Sequence, residues 1–599
     1  MYPFLNSVSR ARSMIDNFGG YNHNLRIGEN EFFDMENMTS DHSPVLAPRK
    51  KRGIFKEDAK NVSGLIEKTN LCYVDGSDFV INGYAVDLGL TEGEKTVVSM
   101  GAYAVIFPDG KYINTEDHSD KGAIAAVQKT AGKVRFSLCR QDGTEIAATP
   151  ADEAPEEQTG YWVDTSVTPN ALMQYSESAG TWVSMTPYIK VSAPGIANPF
   201  SVGDGVFLGG LDGGDLIDAD AEDGALLEDQ QMLADLSGTC VILAIPDVTR
   251  DGAGEIVTQD SLVINGVLKR PVSITNEISV ERKTPDMDFV TESNNRLWGC
   301  KYGTVDGKTV NEIYACKLGD FKNWYCYQGI STDSYAVSVG TDGAFTGAVT
   351  HLGYPVFFKE NWLHKVYGSY PANYQMQTTQ CRGVQKGSHK SLAIVDEKLL
   401  YKSRNGICVY DGSLPVEISY VLGEVSYHGA VAASHNRKYY VSMVSGNDRS
   451  LFVYDLGKGL WHREDNINLT QMCSCNEFLY GLADGKIVTL VGAEIATEDK
   501  VKWMAQTGEI GLSLPDMKYL CRMVIRMSME IGAKATVWVQ YDMETSWHPI
   551  YTITGTSLRS FSLPIHPRRS DYMRIKITGE GDCRIYSITK SIAQGSDVS

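Results

Sequence analysis

Lys438-Tyr439-Tyr440-Val441 runs through Gly446-Asn447-Asp448 into Leu451-Phe452-Val453-Tyr454-Asp455. A short aromatic and β-branched run, a tight polar turn and a second such run form a β-hairpin signature. The unit recurs on both sides. Leu400-Tyr401-Lys402-Ser403 leads through Asn405-Gly406 to Ile407, and Phe478-Leu479-Tyr480 leads through Asp484-Gly485 to Lys486. Arg296-Leu297-Trp298 leads through Asp306-Gly307 to Glu312-Ile313-Tyr314, a longer copy that ends at Trp324. Near the start, Leu71 to Val74 and Phe79 flank Asp75-Gly76, and Tyr103 to Phe107 and Tyr112 flank Asp109-Gly110. The late copies recur about every 40 residues, the period of propeller blades. The expected fold is therefore mainly β, with a β-propeller of about six blades whose short edges are protected by radial packing.

Working outward, residues 119–285 do not repeat the unit and read as an inserted β domain with an exposed acidic loop. Within it, Leu262-Val263-Ile264 before Asn265-Gly266 predicts a further hairpin. The expected organisation is an N-terminal arm over 1–53, first blades over 54–118, the insertion, remaining blades over 286–499, and a C-terminal β-sandwich and tail over 500–599. The arm is expected to be extended, with short helical stretches at 9–17 and 31–38, the first stopped by Gly19-Gly20. The basic run Arg49-Lys50-Lys51-Arg52 reads as a solvated face, with phosphate or acidic-partner contact as the alternative. In the sandwich, Met573, Ile575 and Ile577 alternate with Arg574 and Lys576, which puts them on opposite faces.

Composition narrows the function. The 599 residues carry 74 acidic and 55 basic side chains, a formal net charge of -19. That disfavours a broad grip on nucleic acid, which needs dense Lys and Arg. No signal-peptide pattern is read at the start, and no apolar run reaches the roughly 18 residues of a membrane helix. The twelve cysteines are scattered and read as buried reduced thiols, with Cys473 and Cys475 on one strand face.

Chemistry-bearing patterns are sparse. Glu312, Asp320, Asp342 and Glu360 are the acids available for glycoside cleavage, and Asp320 reads better as a turn carboxylate. Asp218, Asp220, Glu222 and Asp229 are weak candidates for a divalent cation, because Gly224 falls one place late for a calcium loop. His351, His364, His389 and His435 lie near strand ends, where a structural role is the simpler reading. Nucleophile-elbow and phosphate-loop motifs are absent from the sequence, so no catalytic residue and no cofactor is expected.

Two phrases carry a family resemblance. The first is Phe18-Gly19-Gly20-Tyr21-Asn22, followed by Glu31 to Asn37-Met38 and a basic end at Arg49 to Gly53. The second is Asn295-Arg296-Leu297-Trp298-Gly299 followed by Glu312 to Trp324, continued by Asp342-Gly343 and Pro355 to Asn361. Together they resemble the tubular tail or nozzle proteins of tailed bacteriophages, also called packaged-DNA stabilisation proteins. The resemblance marks Gly19, Gly20, Asn37, Arg296, Trp298, Gly319, Asp320, Trp324, Arg568 and Arg569 as assembly or family-motif positions. It implies a structural virion protein, not an enzyme, assembled in the host cytoplasm into a homo-oligomeric, hexameric ring that extends the DNA channel and retains packaged DNA. Adaptor and fibre proteins are the implied partners, and DNA is transient cargo. A baseplate or fibre-attachment propeller, or a glycan-binding or glycan-cleaving propeller, is the alternative.

Overall fold

The computed structural model describes residues 10–211, 231–275, 277–511, 517–555 and 557–594. Of the described residues, 53% are strand and 2% helix, arranged in many small, mostly antiparallel sheets. Among the described residues, seven four-stranded sheets are meanders of consecutive strands, over 62–87, 96–123, 289–338, 345–380, 393–417, 428–463 and 469–491. The last contributes only three strands of its own, and Gly53–Lys56 supplies the fourth by pairing with Lys486–Val491. No helix among the described residues is long and apolar enough to cross a membrane.

The turn chemistry explains the hairpins. Asp306-Gly307 and Asp484-Gly485 each place both residues at positive φ, the geometry of a type I′ turn whose twist matches the flanking strands. Asn436-Arg437 and Asp396-Glu397 do the same without glycine. The strand runs are nearly continuously apolar because both faces are covered. Along Lys438–Ser445, Tyr439, Val441 and Met443 enter one core cluster while Tyr440 enters another with Leu451 and Val453.

The chain divides into two compact units, one of residues 1–97, 343–365 and 378–599, the other of 98–342 and 366–377. The first contains two five-stranded sheets. One orders Arg10–Ile15, Cys583–Gln594, Lys518–Met529 and Arg559–Leu563, with Arg569–Ser570 beside Lys518–Met529. The other orders Phe32–Glu36, Lys502–Thr507, Met573–Glu580, Lys534–Tyr541 and His548–Thr554. Met523, Ile525 and Met527 from one sheet and Val537, Ile575 and Ile577 from the other share a single core.

The arm departs from the helical expectation. Arg10–Ile15 is a strand paired along its length with residues 588–593, and Phe32–Glu36 pairs with Lys502–Thr507. Phe32 and Met35 have helical spacing, yet both are buried because a bulge between Phe32 and Asp34 resets the register. A helix this short is marginal in water, so pairing with a preformed sheet edge overrides the local pattern.

In the second unit, the segment between the meanders at 96–123 and 289–338 forms three four-stranded sheets and a hairpin; two of the sheets share a core of Phe136, Val191, Val206, Leu262 and Val280, and the third packs Val163 and Leu172 against Leu138. The hairpin expected at Asn265-Gly266 does not form. Ser261–Asn265 pairs with Tyr188–Ser192, whereas Val272–Ile274 pairs with Val134–Cys139. Gly266 is instead a close-packed crossing, since a Cβ there would lie 2.5 Å from Ile189. Most of the acidic loop, including Asp218, Asp220, Glu222 and Asp229, lies outside the described residues.

Candidate functional site

The arm phrase is woven into its own chain. The Gly19 N–H donates to the Asn30 carbonyl at 2.7 Å, and the Tyr21 N–H donates to the Trp461 carbonyl at 2.6 Å. Gly20 lies between them, and a Cβ there would sit 2.3 Å from the same Trp461 oxygen. Gly20→Ala is therefore expected to push two backbones apart and lower stability by about 1–3 kcal/mol, read as a shift in the denaturation midpoint. Asn37 takes a left-handed φ of 55°. Its Nδ2 donates to the Lys502 carbonyl at 2.9 Å, and its Oδ1 accepts from Arg49 Nε at 2.7 Å.

The basic run is not a uniformly solvated face. Lys50 and Lys51 are exposed, but Arg49 and Arg52 are buried. Arg52 pairs with Glu464 and Asp465 at 2.6 Å each, and Arg49 pairs with Glu498 at 2.8 Å. These acids belong to the chain itself, so both guanidiniums are neutralised from within it. Sequence reading missed this network because its members are hundreds of residues apart.

The second phrase, from Asn295 to Trp324, is equally woven into its own chain. Arg296 is buried, and its guanidinium donates to the carbonyls of Cys316, Asp333 and Ser331 at 2.7, 2.5 and 2.9 Å. Trp298 packs between Tyr335 and Tyr374, and Trp324 donates its indole N–H to the Phe321 carbonyl at 2.9 Å. Gly319 has a φ of 73° and donates to the Asn295 carbonyl. Asp320 accepts from the Lys322 N–H at 3.0 Å and from Asn323 Nδ2 at 2.6 Å, the turn carboxylate expected of it. Asn323 also donates to Asp204, which pairs with Arg282 at 2.6 Å; no sequence signal connects these three.

Arg568 and Arg569 are exposed, as is Gly319. Arg568 pairs with Glu544 at 2.5 Å over the Tyr541 ring, and Arg569 lies in a two-residue strand against Tyr519. Glu360 accepts the Lys386 N–H at 3.2 Å and Glu312 accepts from Ser338 at 3.5 Å. All twelve cysteines are free, and no cluster among the described residues has the makings of a metal site.

Burial lowers the pKa of His351, His364, His389, His435 and His462. His351 donates Nε2–H to the Glu397 carbonyl, and His364 and His435 hydrogen-bond Thr378 and Ser474. Burial pushes His364 down to about 4. Burial, aided by the Lys438 ammonium, pushes His462 down to about 3. Each stays neutral in the fold while the unfolded chain protonates near pH 6.5. Their contribution is intact above that value and is lost as pH falls toward each folded pKa. Between pH 6 and 4, each is expected to steepen the loss by up to about 1.4 kcal/mol per pH unit. His462→Gln should flatten the stability-versus-pH curve measured by urea titration.

Among the clefts on the first unit are two with charged linings. One, of about 740 Å³, is lined by Lys60, Ser63, Ser77, Glu92, Glu94 and Lys390, with Glu94 paired to Lys390 at 2.9 Å. The other, of about 680 Å³, is lined by Glu360, Asn361, Gln380, Arg382, Arg404 and Asn405.

No family model matches the sequence, and no curated protein matches it. Among solved structures, an exo-β-1,3-galactanase from Phanerochaete chrysosporium is similar at 8% identity and a TM-score of 0.22, covering 59% of this chain and 100% of that one. The extracellular domain of a one-component system from B. thetaiotaomicron is similar at 11% identity and a TM-score of 0.26, covering 92% and 98%. An acylaminoacyl peptidase from Pyrococcus horikoshii matches at 9% identity and a TM-score of 0.26, covering 76% and 59%.

Proposed function

We propose that this chain is a structural virion protein of a bacteriophage tail, a nozzle or tubular tail component rather than an enzyme. In this reading the seven meanders are blades of one propeller, closed by Gly53–Lys56, and the sheets over 500–594 form a sandwich. Copies assemble in the host cytoplasm into a hexameric ring that continues the DNA channel, retains packaged DNA and presents docking surface to adaptor and fibre proteins. The observation that carries the reading is the structural use of the residues bearing the resemblance: Gly20, Asn37, Arg296 and Trp324 lock sheets and turns and do not converge on a cleft. The net charge of -19 supports DNA as cargo, because an acidic wall repels a duplex that has to slide. Two-dimensional class averages of the purified chain and of particles containing it test the proposal. A ring with a central hole is expected; a compact monomer under both conditions overturns it.

A second reading, glycan binding, is favoured by the cleft holding Arg382 and Arg404 among the amides of Asn361, Gln380 and Asn405. Binding to acidic surface glycans that is lost in R382A/R404A would support it over the first.

A further inference from the structure

Two open sheet edges of opposite character stand out. The sheet of Ala148–Ala151, Tyr161–Asp164, Ala171–Ser176 and Thr181–Met185 ends on one side with Pro150, which lacks the N–H that pairing needs. The other edge, Thr181–Met185, carries neither proline nor charge. Val183 is 44% exposed and Met185 41% exposed on it. Beyond its pairing with Ala171–Ser176, its backbone makes no hydrogen bond to a described residue. A bare apolar edge invites another strand, and isolated proteins normally blunt such edges. The segment that folds into this sheet is acidic in sequence, and the one cation seen on it among the described residues, Arg140, comes from outside the segment to hydrogen-bond Tyr161 at 2.8 Å. Residues 148–188 contain Asp152, Glu153, Glu156, Glu157, Asp164 and Glu177 and no Lys or Arg. Hydrogen bonding of Tyr175 to Gln158 holds the acidic loop against the sheet.

The second edge is Arg10–Ile15, paired only with Cys583–Gln594. Residues 10–14 are exposed, and Arg10 and Arg12 form no ion pair with a described residue. The two strands are six and five residues long.

We propose that copies of this chain associate head to tail, the Arg10–Ile15 strand of one adding to the open Thr181–Met185 edge of the next. Charge selects this pairing over the self-pairings. Two Arg10–Ile15 edges would bring four guanidinium groups together, and two Thr181–Met185 edges would juxtapose two acidic sets; only the unlike combination attracts. A heterologous contact of this kind propagates into a ring or an open filament, whereas pairing of like edges would stop at a dimer. The main-chain ladder supplies affinity, and Arg10 and Arg12 against the acidic set supply register and salt dependence.

The inference rests on the self-assembly part of the proposed function, and sedimentation velocity on the full chain separates the two. The wild-type chain is expected to associate, more weakly at high salt. Val183→Lys, and separately R10E/R12E, should weaken association at least tenfold without changing the thermal midpoint of the monomer. Adding E156K/E157K/E177K to R10E/R12E should restore it. Association unchanged in both edge variants overturns the strand pairing while leaving the ring reading standing. Loss in R10E/R12E without rescue overturns the acidic edge as its partner. A wild-type chain that stays monomeric at every concentration overturns both.

Discussion

Removing residues 1–53 is expected to leave a chain that does not fold, rather than a folded subunit unable to assemble. Phe18, Tyr21, Phe32, Met35, Met38 and Leu46 are all within a few per cent of full burial in the core shared by the two five-stranded sheets. Each contributes about 1.5–3 kcal/mol. Together that is on the order of 10 kcal/mol, comparable with the whole stability of a typical domain, about 5–15 kcal/mol. The deletion also takes the Arg10–Ile15 and Phe32–Glu36 strands from their sheets and Gly53 from the strand that completes the meander at 469–491. Near-ultraviolet circular dichroism and limited proteolysis of the truncated chain are the measurements. A cooperative thermal transition within a few degrees of the full chain would show that the arm is dispensable to the fold.

Arg52→Ala is the point substitution with the largest expected effect. Arg52 is buried against Glu464, itself 6% exposed, and against Asp465. Truncation leaves the buried Glu464 carboxylate and the partly exposed Asp465 carboxylate with Arg49 as their remaining cation, at 3.8 and 3.5 Å. Breaking such a network from one side costs about 3–5 kcal/mol, mostly the penalty of a buried charge without its partner. The double variant R52A/E464A should recover part of that loss, because it removes one of the stranded charges. Equilibrium urea unfolding of the single and double variants gives the coupling. A loss under about 1 kcal/mol for Arg52→Ala would mean that the pair behaves like a surface ion pair.

The candidate positions show how far sequence reading reaches. Asp320 was legible as a turn carboxylate because its partners, Lys322 and Asn323, lie within three residues. Arg296 was legible as part of a phrase but not as a buried clamp on three carbonyls, since Ser331 and Asp333 come to it only through a loop. Arg49 and Arg52 looked like neighbours of Lys50 and Lys51, and nothing local distinguishes the two that turn inward.

Most of the repeating hairpins follow from local sequence. At Asp306-Gly307 and Asp484-Gly485 the two residues that suit a type I′ turn do form one, whereas Asn265-Gly266, equally suited, is drawn into a close-packed crossing against Ile189. The alternation of Met573, Ile575 and Ile577 with Arg574 and Lys576 is local in the same sense. The path of the arm is set by long-range strand pairing. Gly53–Lys56 joins Lys486–Val491, Arg10–Ile15 joins Cys583–Gln594, and Phe32–Glu36 reaches the core across a bulge. Those segments are short, their own propensities are weak, and their conformation is set by the unpaired edges they meet.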